Sequence, residues 1–217
     1  MTLILGLLFW LLAITVAITV HEFSHALVAT RLGDPTPKLL GRLSLNPIKH
    51  YDQVGTTMLL ITVIMRAFGA PVIPFGWAKP VPFDPYNLAN PRRDAALISL
   101  AGPVSNLLVA IILALLIRLS TGFPTLAMGV IGLVATPLIL LNVVLAIFNL
   151  IPIHPLDGGK ILVGLLPREW ADEVERVLTQ YGTLILLFLI LPFNRGTSPI
   201  ASLIGPVVSA VLSFLLP

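Results

Sequence analysis

The chain has 217 residues, of which 57% are hydrophobic and 11% charged, and a formal net charge of +3. A soluble domain carries about twice that charged fraction, so the composition excludes an ordinary soluble globule and points to an α-helical polytopic membrane protein. No Lys/Arg cluster of the kind that follows a phosphate backbone is present, which argues against nucleic acid as a partner; the absence of cysteine excludes disulfides, thiolate metal sites and cysteine nucleophiles.

The first element is an apolar run that opens at Leu3 and ends in His21-Glu22-Phe23-Ser24-His25. It lacks a basic leading segment and flows into this motif without a break, so a retained span is expected rather than a cleaved signal peptide. Two histidines four apart share one face of a helix and can hold one Zn²⁺, with Glu22 between them in reach of general-base work. Burying two imidazoles and a carboxylate in an apolar helix is costly without such a purpose.

Two stretches, 36–52 and 76–93, are rich in Pro, Gly and Asn and contain short alternating pieces around Leu39–Leu45 and Trp77–Val81. They predict a small β region at the membrane surface between the first helix and the next long span. The segment between them, 55–75, is apolar but interrupted by Arg66, Gly69, Pro71 and Pro74. Membrane helices are predicted over 2–30, 95–118, 127–151, 176–193 and 199–216, five to six in all if 55–75 is counted.

Basic residues set the orientation. Arg31, Lys38, Arg42, Lys49, Lys79, Arg92 and Arg93 fall between the first and second long spans, and Lys160, Arg168 and Arg176 follow the third. Only Arg118 and Arg195 occupy the other loops. The pattern predicts 31–94 and 152–175 on the cytoplasmic side, which requires 55–75 to be re-entrant, with a tilted ordinary span as the competing reading.

A catalytic zinc site takes three protein ligands and keeps a fourth position for water. Asp157 is the expected third ligand. It lies just past the 127–151 span in Asn149-Leu-Ile-Pro152-Ile-His154-Pro155-Leu-Asp157-Gly158-Gly159, where two prolines prevent regular helix and two glycines relax the backbone. An ionisable group in such a break is functional by default, with capping of the next helix as the alternative. Both spans run in the same direction, which brings His25 and Asp157 to one face.

These pieces, together with Ala101-Gly102-Pro103-Val104-Ser105-Asn106, resemble the site-2 protease family of intramembrane zinc metalloproteases. The segments Gly41–Pro47, His50–Asp52 and Gly76–Pro82 look like its short prokaryotic branch without PDZ or CBS domains. The resemblance covers roughly residues 10–165. It implies zinc held by His21, His25 and Asp157, with Glu22 activating the water. It also implies that Asn149 positions or polarises the substrate peptide, whereas membrane helices equally use Asn to bond a neighbour. His154 and Gln53 stand where many relatives have proline.

The expected protein is a single domain, 1–217, with a catalytic core over 1–165 and a C-terminal helical pair over 166–217. Its expected place is a prokaryotic cytoplasmic membrane, with the site nearer the cytoplasmic face, and its expected partners are the lipid bilayer and transmembrane protein substrates. Asn106 and Asn142 are expected to bond neighbouring helices, and Ala101, Gly102 and Ser105 to form a close helix contact. His50 with Asp52 reads as a pair supporting the metal ligands or as a surface turn. A membrane metal transporter and a non-proteolytic protein that binds membrane segments are the rival functions; the lack of an internal repeat disfavours the transporter.

Overall fold

The computed structural model describes residues 2–70, 76–119, 125–191 and 198–216. Pro71, Pro74, Arg195 and the end of the predicted 176–193 span lie outside the described residues.

Helix α1 runs Thr2–Arg31 without a break. Three of its hydroxyls bond its own turns: Thr15, Ser24 and Thr30 each donate to the carbonyl four residues back. Gly33, at φ 107°, ends it; the Asp34 N–H returns to the Ala29 carbonyl, the left-handed glycine stop that favours a residue without Cβ. Asp34 is fully buried and accepts from the Thr36 and Asp84 N–H groups and the Asn87 side chain, tying the end of α1 to a later loop.

Helix α2 (Thr36–Leu39) is a single turn with Pro37 inside it, and Asn46 caps a 3₁₀ turn over Pro47–His50. Among the described residues no strand forms, so the predicted β region is corrected. The reason lies in the backbone donors. Pro80 and Pro82 have no N–H; the Lys79 N–H bonds the His50 carbonyl and the Val81 N–H bonds Glu22, which leaves 76–84 unpaired as a ladder.

Helix α3 (Gly55–Ala67) has 13 residues, about 20 Å against a hydrocarbon core of about 30 Å. Gly69 at φ 87° follows its end. The chain is back beside the start of α3 at Gly76 and Trp77. A Cβ on Gly55 would lie 2.5 Å from the Trp77 ring, and one on Gly76 would lie 2.3 Å from the Gly55 carbonyl.

Helices α4 (Pro91–Leu119) and α5 (Thr125–Asn149) complete the central three-helix group with α1. The seams are built from small residues: Ala13, Ala17, Ala26, Ala29, Ala110, Ala114, Ala135 and Ala146 are all buried, which lets the backbones approach closely. Large apolar side chains face outward instead, as with Leu108, Ile112, Leu115 and Leu116 on α4. Among the described residues three helices, the 4–31 part of α1, α4 and the 131–149 part of α5, are long and apolar enough to cross a membrane. This is an α-helical membrane protein.

After a break at 150–156 come α6 (Asp157–Leu165), α7 (Arg168–Ile190) and α8 (Pro199–Leu215). Among the described residues, length and composition support three spans and not the predicted five to six. α7 begins eight residues before its predicted span because its charged first half is also helical, and Asp172 there pairs with Arg92 of α4. α8 is apolar but has 17 residues, about 25 Å. It closes a core of Ala110, Ala114, Ala135, Ile139, Val143, Val208 and Leu215.

Candidate metal centre

The spacing in α1 sets His21 and His25 one above the other, with their rings 4.6 Å apart and nearly perpendicular. Both are buried. Asp157 arrives as the first residue of α6. Its position depends on the two glycines that follow, for a different reason from the one expected: neither has a positive φ among the glycines that do. They permit close approach. A Cβ on Gly158 would lie 2.2 Å from the Ile151 carbonyl, and one on Gly159 3.0 Å from the His154 nitrogen, so only glycine lets α6 fold back on the 150–154 break.

The result is convergence. His21 Nε2 lies 3.0 Å and His25 Nε2 3.2 Å from the same oxygen, Asp157 Oδ2. The three donor atoms all lie within 4.8 Å of one another.

The far side of each ring decides what these atoms offer. His25 Nδ1 is 2.7 Å from the Ile98 carbonyl, which can only accept, so the proton sits on Nδ1. Pro103, inside α4, has no N–H to give the Ser99 carbonyl, the residue next to Ile98. His21 Nδ1 is 2.6 Å from Asn106 Oδ1 and donates likewise. In neutral rings both Nε2 atoms then present lone pairs toward each other and toward a carboxylate oxygen. That arrangement is repulsive unless a cation lies between them.

The donor set fits zinc. Ligands at about 2.0 Å around a tetrahedral ion stand roughly 3.3 Å apart, close to the 3.0 and 3.2 Å seen here. Gly102 keeps the space clear: a Cβ there would lie 2.5 Å from His25 Nε2 and 2.6 Å from His21 Cε1.

Glu22 and Asn149 line the same cavity, about 350 Å³, with Gly76, Trp77, Val81, Phe148 and Lys160. Glu22 Oε2 accepts from the Val81 N–H at 3.1 Å. Asn149, at the end of α5, donates one amide hydrogen to the Leu145 carbonyl at 3.0 Å.

The sequence of the chain agrees with this geometry. The profile described as Peptidase family M50 matches residues 9–136 and 117–189. The chain belongs to peptidase family M50. This M50 chain is 38% identical over 188 residues to YwhC of Bacillus subtilis (strain 168), a protein named as a zinc metalloprotease, covering 82% of this chain and 78% of that one. It is 31% identical to Rip2 of Mycolicibacterium smegmatis and 29% identical to Rip2 of Mycobacterium tuberculosis H37Rv, both also named as zinc metalloproteases. Each match covers 84% of this chain, and the chain spans 64% and 65% of the Rip2 proteins' own lengths. No solved structure matches the chain at a significant level.

Other marked residues of this M50 chain lie elsewhere. His154 does not join the three converging side chains; it packs against α7, where a Cβ on Gly182 would lie 2.5 Å from its carbonyl. His50 is buried with Nε2 on the Ser44 carbonyl, while Asp52 caps α3 through the Val54 and Gly55 N–H groups, so the two form neither a ligand-supporting pair nor a plain surface turn. Sequence reasoning missed three groups at the site. Lys160 was legible as a residue three places beyond Asp157 on one helix; the Ile98 carbonyl and the Val81 N–H are backbone groups with no sequence signal.

Proposed function

We propose that this chain is an intramembrane zinc endopeptidase that hydrolyses peptide bonds in or beside transmembrane segments of other membrane proteins. That it is a membrane zinc metalloprotease follows from its family and from the names its relatives carry. One observation carries the finer reading: a helix long enough to cross the bilayer and the start of α6 bring two imidazole lone pairs and a carboxylate to one buried point.

His21, His25 and Asp157 would hold one zinc ion per chain. Bound there, zinc supplies Lewis acidity, polarising a scissile carbonyl and lowering the pKa of water. Glu22, on the same turn of α1 and in the same cavity, takes the proton of the attacking water and returns it to the leaving amine. The hydrogen bond from Val81 holds its carboxylate in place. Asn149 keeps one amide hydrogen beyond its bond to Leu145, free to donate to the carbonyl oxygen as negative charge develops.

A helical substrate hides its carbonyls and must unwind before attack. The 76–84 segment borders the cavity, but its Lys79 and Val81 N–H groups are committed, so a substrate strand would pair with its carbonyls. A re-entrant 55–75, of which 71–75 lie outside the described residues, belongs to this reading and is supported by the short α3 and by Gly76–Trp77 lying beside Gly55. The distribution of basic residues supports the reading that 31–94 and 152–175, and with them the site, lie toward the cytoplasmic face of a prokaryotic membrane crossed several times.

The test is the full chain in detergent with a panel of single-span substrates, wild type against Glu22→Gln. The variant should keep its zinc and lose cleavage by at least about 100-fold, the scale of general-base contributions. Cleavage unchanged in Glu22→Gln, or metal transport by wild type without cleavage, would overturn the reading.

A further inference from the structure

Asn106 and Asn142 are both fully buried, at 0% exposure, in the apolar interior between α1, α4 and α5. Helix-to-helix bonding accounts for only part of what they do, because their hydrogen bonds have a direction that can be followed atom by atom.

The Leu138 carbonyl can only accept, so the amide nitrogen of Asn142 faces it at 2.8 Å. Asn142 Oδ1 is therefore an acceptor, and it takes an N–H from Asn106 Nδ2 at 2.8 Å. The other N–H of Asn106 goes to the Ala17 carbonyl at 2.9 Å, again a group that can only accept. Asn106 is thus fixed from two sides with its oxygen toward His21 Nδ1, 2.6 Å away. Reversing the Asn106 amide would set its oxygen against two acceptors and its nitrogen against the ring N–H. Two backbone carbonyls on different helices therefore dictate where the proton of His21 sits. His25 needs no such device, since the Ile98 carbonyl faces it directly.

We infer that Asn142 and Asn106 form a directed relay that holds His21 in the Nδ1–H tautomer, so that Nε2 is permanently available as a metal donor. Both are positioning residues of the metal centre. The inference rests on the metal-ligand reading above. It makes an outer hydrogen bond to a ligating histidine the work of two side chains, neither of which touches the metal, and such partners are commonly worth 10–100-fold in metal affinity.

The experiment uses the full chain in detergent micelles, loaded with zinc alone, and compares wild type, Asn106→Leu and Asn142→Leu. Zinc affinity is read by chelator competition, the melting temperature is read on the metal-stripped proteins, and histidine tautomers are read from ¹⁵N spectra of histidine-labelled protein. Asn106→Leu should weaken zinc roughly 10–100-fold. Asn142→Leu, one step further out, should weaken it less, and its spectrum should show the Nδ1–H form of one histidine giving way to a mixture. Zinc affinity within about twofold of wild type in both variants, with only the melting temperature lowered, would overturn the relay and leave the two as packing groups. Failure of both variants to fold would overturn it in the same way. If wild type itself takes up no zinc, the metal-ligand reading falls instead, and the outcomes are distinct.

Discussion

His21 Nε2 and Asp157 Oδ2 lie 3.0 Å apart although 136 positions separate them in the chain. Two local devices create that contact: the unbroken α1, which carries the imidazole to a fixed depth, and the glycine pair at 158–159, which turns α6 back so that its first residue faces α1. Neither device contains chemistry. The glycine pair, and the clearance that Gly102 of α4 leaves beside the imidazoles, are each tested by adding a single carbon.

Gly102→Ala should empty the site. The new Cβ would fall 2.5 Å from His25 Nε2 and 2.6 Å from His21 Cε1, and it belongs to backbone that cannot swing away. Overpacking of this kind costs about 1–3 kcal/mol, and here the cost falls on the ligand face. Zinc bound per chain and cleavage should both drop by more than about tenfold, an effect of about 1.4 kcal/mol or more, while the helical circular dichroism persists. Full zinc occupancy in Gly102→Ala would contradict the role given to this glycine.

Gly158→Ala should act on Asp157 rather than on the imidazoles. Its Cβ would meet the Ile151 carbonyl at 2.2 Å, so the start of α6 must move outward and carry the carboxylate with it. Gly132→Ala in α5 is the control, since beyond its own helix backbone no described atom lies within 4 Å of its added carbon. Zinc affinity should fall in the first variant and stay unchanged in the second.

The fold was legible where the chain speaks through composition and period. The first three long apolar spans, the His-Glu motif and the broken helix before Asp157 are all local patterns, and each stands where it was read. The β region was misread because alternation around Leu39–Leu45 and Trp77–Val81 reports only side-chain pattern. Strand pairing needs free backbone donors, which Pro80, Pro82, Lys79 and Val81 do not offer. Asn106 bonds neighbouring helices as expected, at Ala17 and Asn142, but its further bond to His21 could not be read, because 85 positions separate the two and nothing in either local sequence announces the pair. The glycines at 158 and 159 were correctly marked but for their torsions, whereas their function is clearance.

Asp34 makes the stability of the α1 terminus sensitive to acid. Burial raises its pKa, but hydrogen bonds from Thr36, the Asp84 backbone and Asn87 outweigh this and hold the carboxyl below its usual range. A depressed folded pKa contributes stability that is intact above the ordinary carboxylate pKa and is lost as pH falls through the folded value. Asp34→Ala leaves three donors without their acceptor and should cost about 1–3 kcal/mol at neutral pH. Thermal melts from pH 7 to pH 3 should show wild type losing stability toward acid and Asp34→Ala losing less; equal acid sensitivity in the two would contradict this role.

Asn149→Leu separates substrate polarisation from metal binding. Among the described residues its amide bonds its own helix alone, at the Leu145 carbonyl, so its loss should leave zinc affinity intact. Removing an oxyanion donor costs about 100–1,000-fold in kcat, and a fall of that size with little change in KM is expected on a single-span substrate. A kcat within threefold of wild type would make Asn149 a helix-bonding residue.

The most direct measurement is the zinc content of the purified full chain, with zinc-edge X-ray absorption of the bound ion, in wild type and Asp157→Ala. One zinc per wild-type chain is predicted, with two imidazole nitrogens at about 2.0 Å and oxygen completing the shell, and near-complete loss of zinc in Asp157→Ala. Wild-type occupancy and an unchanged shell in Asp157→Ala would contradict the three-ligand site.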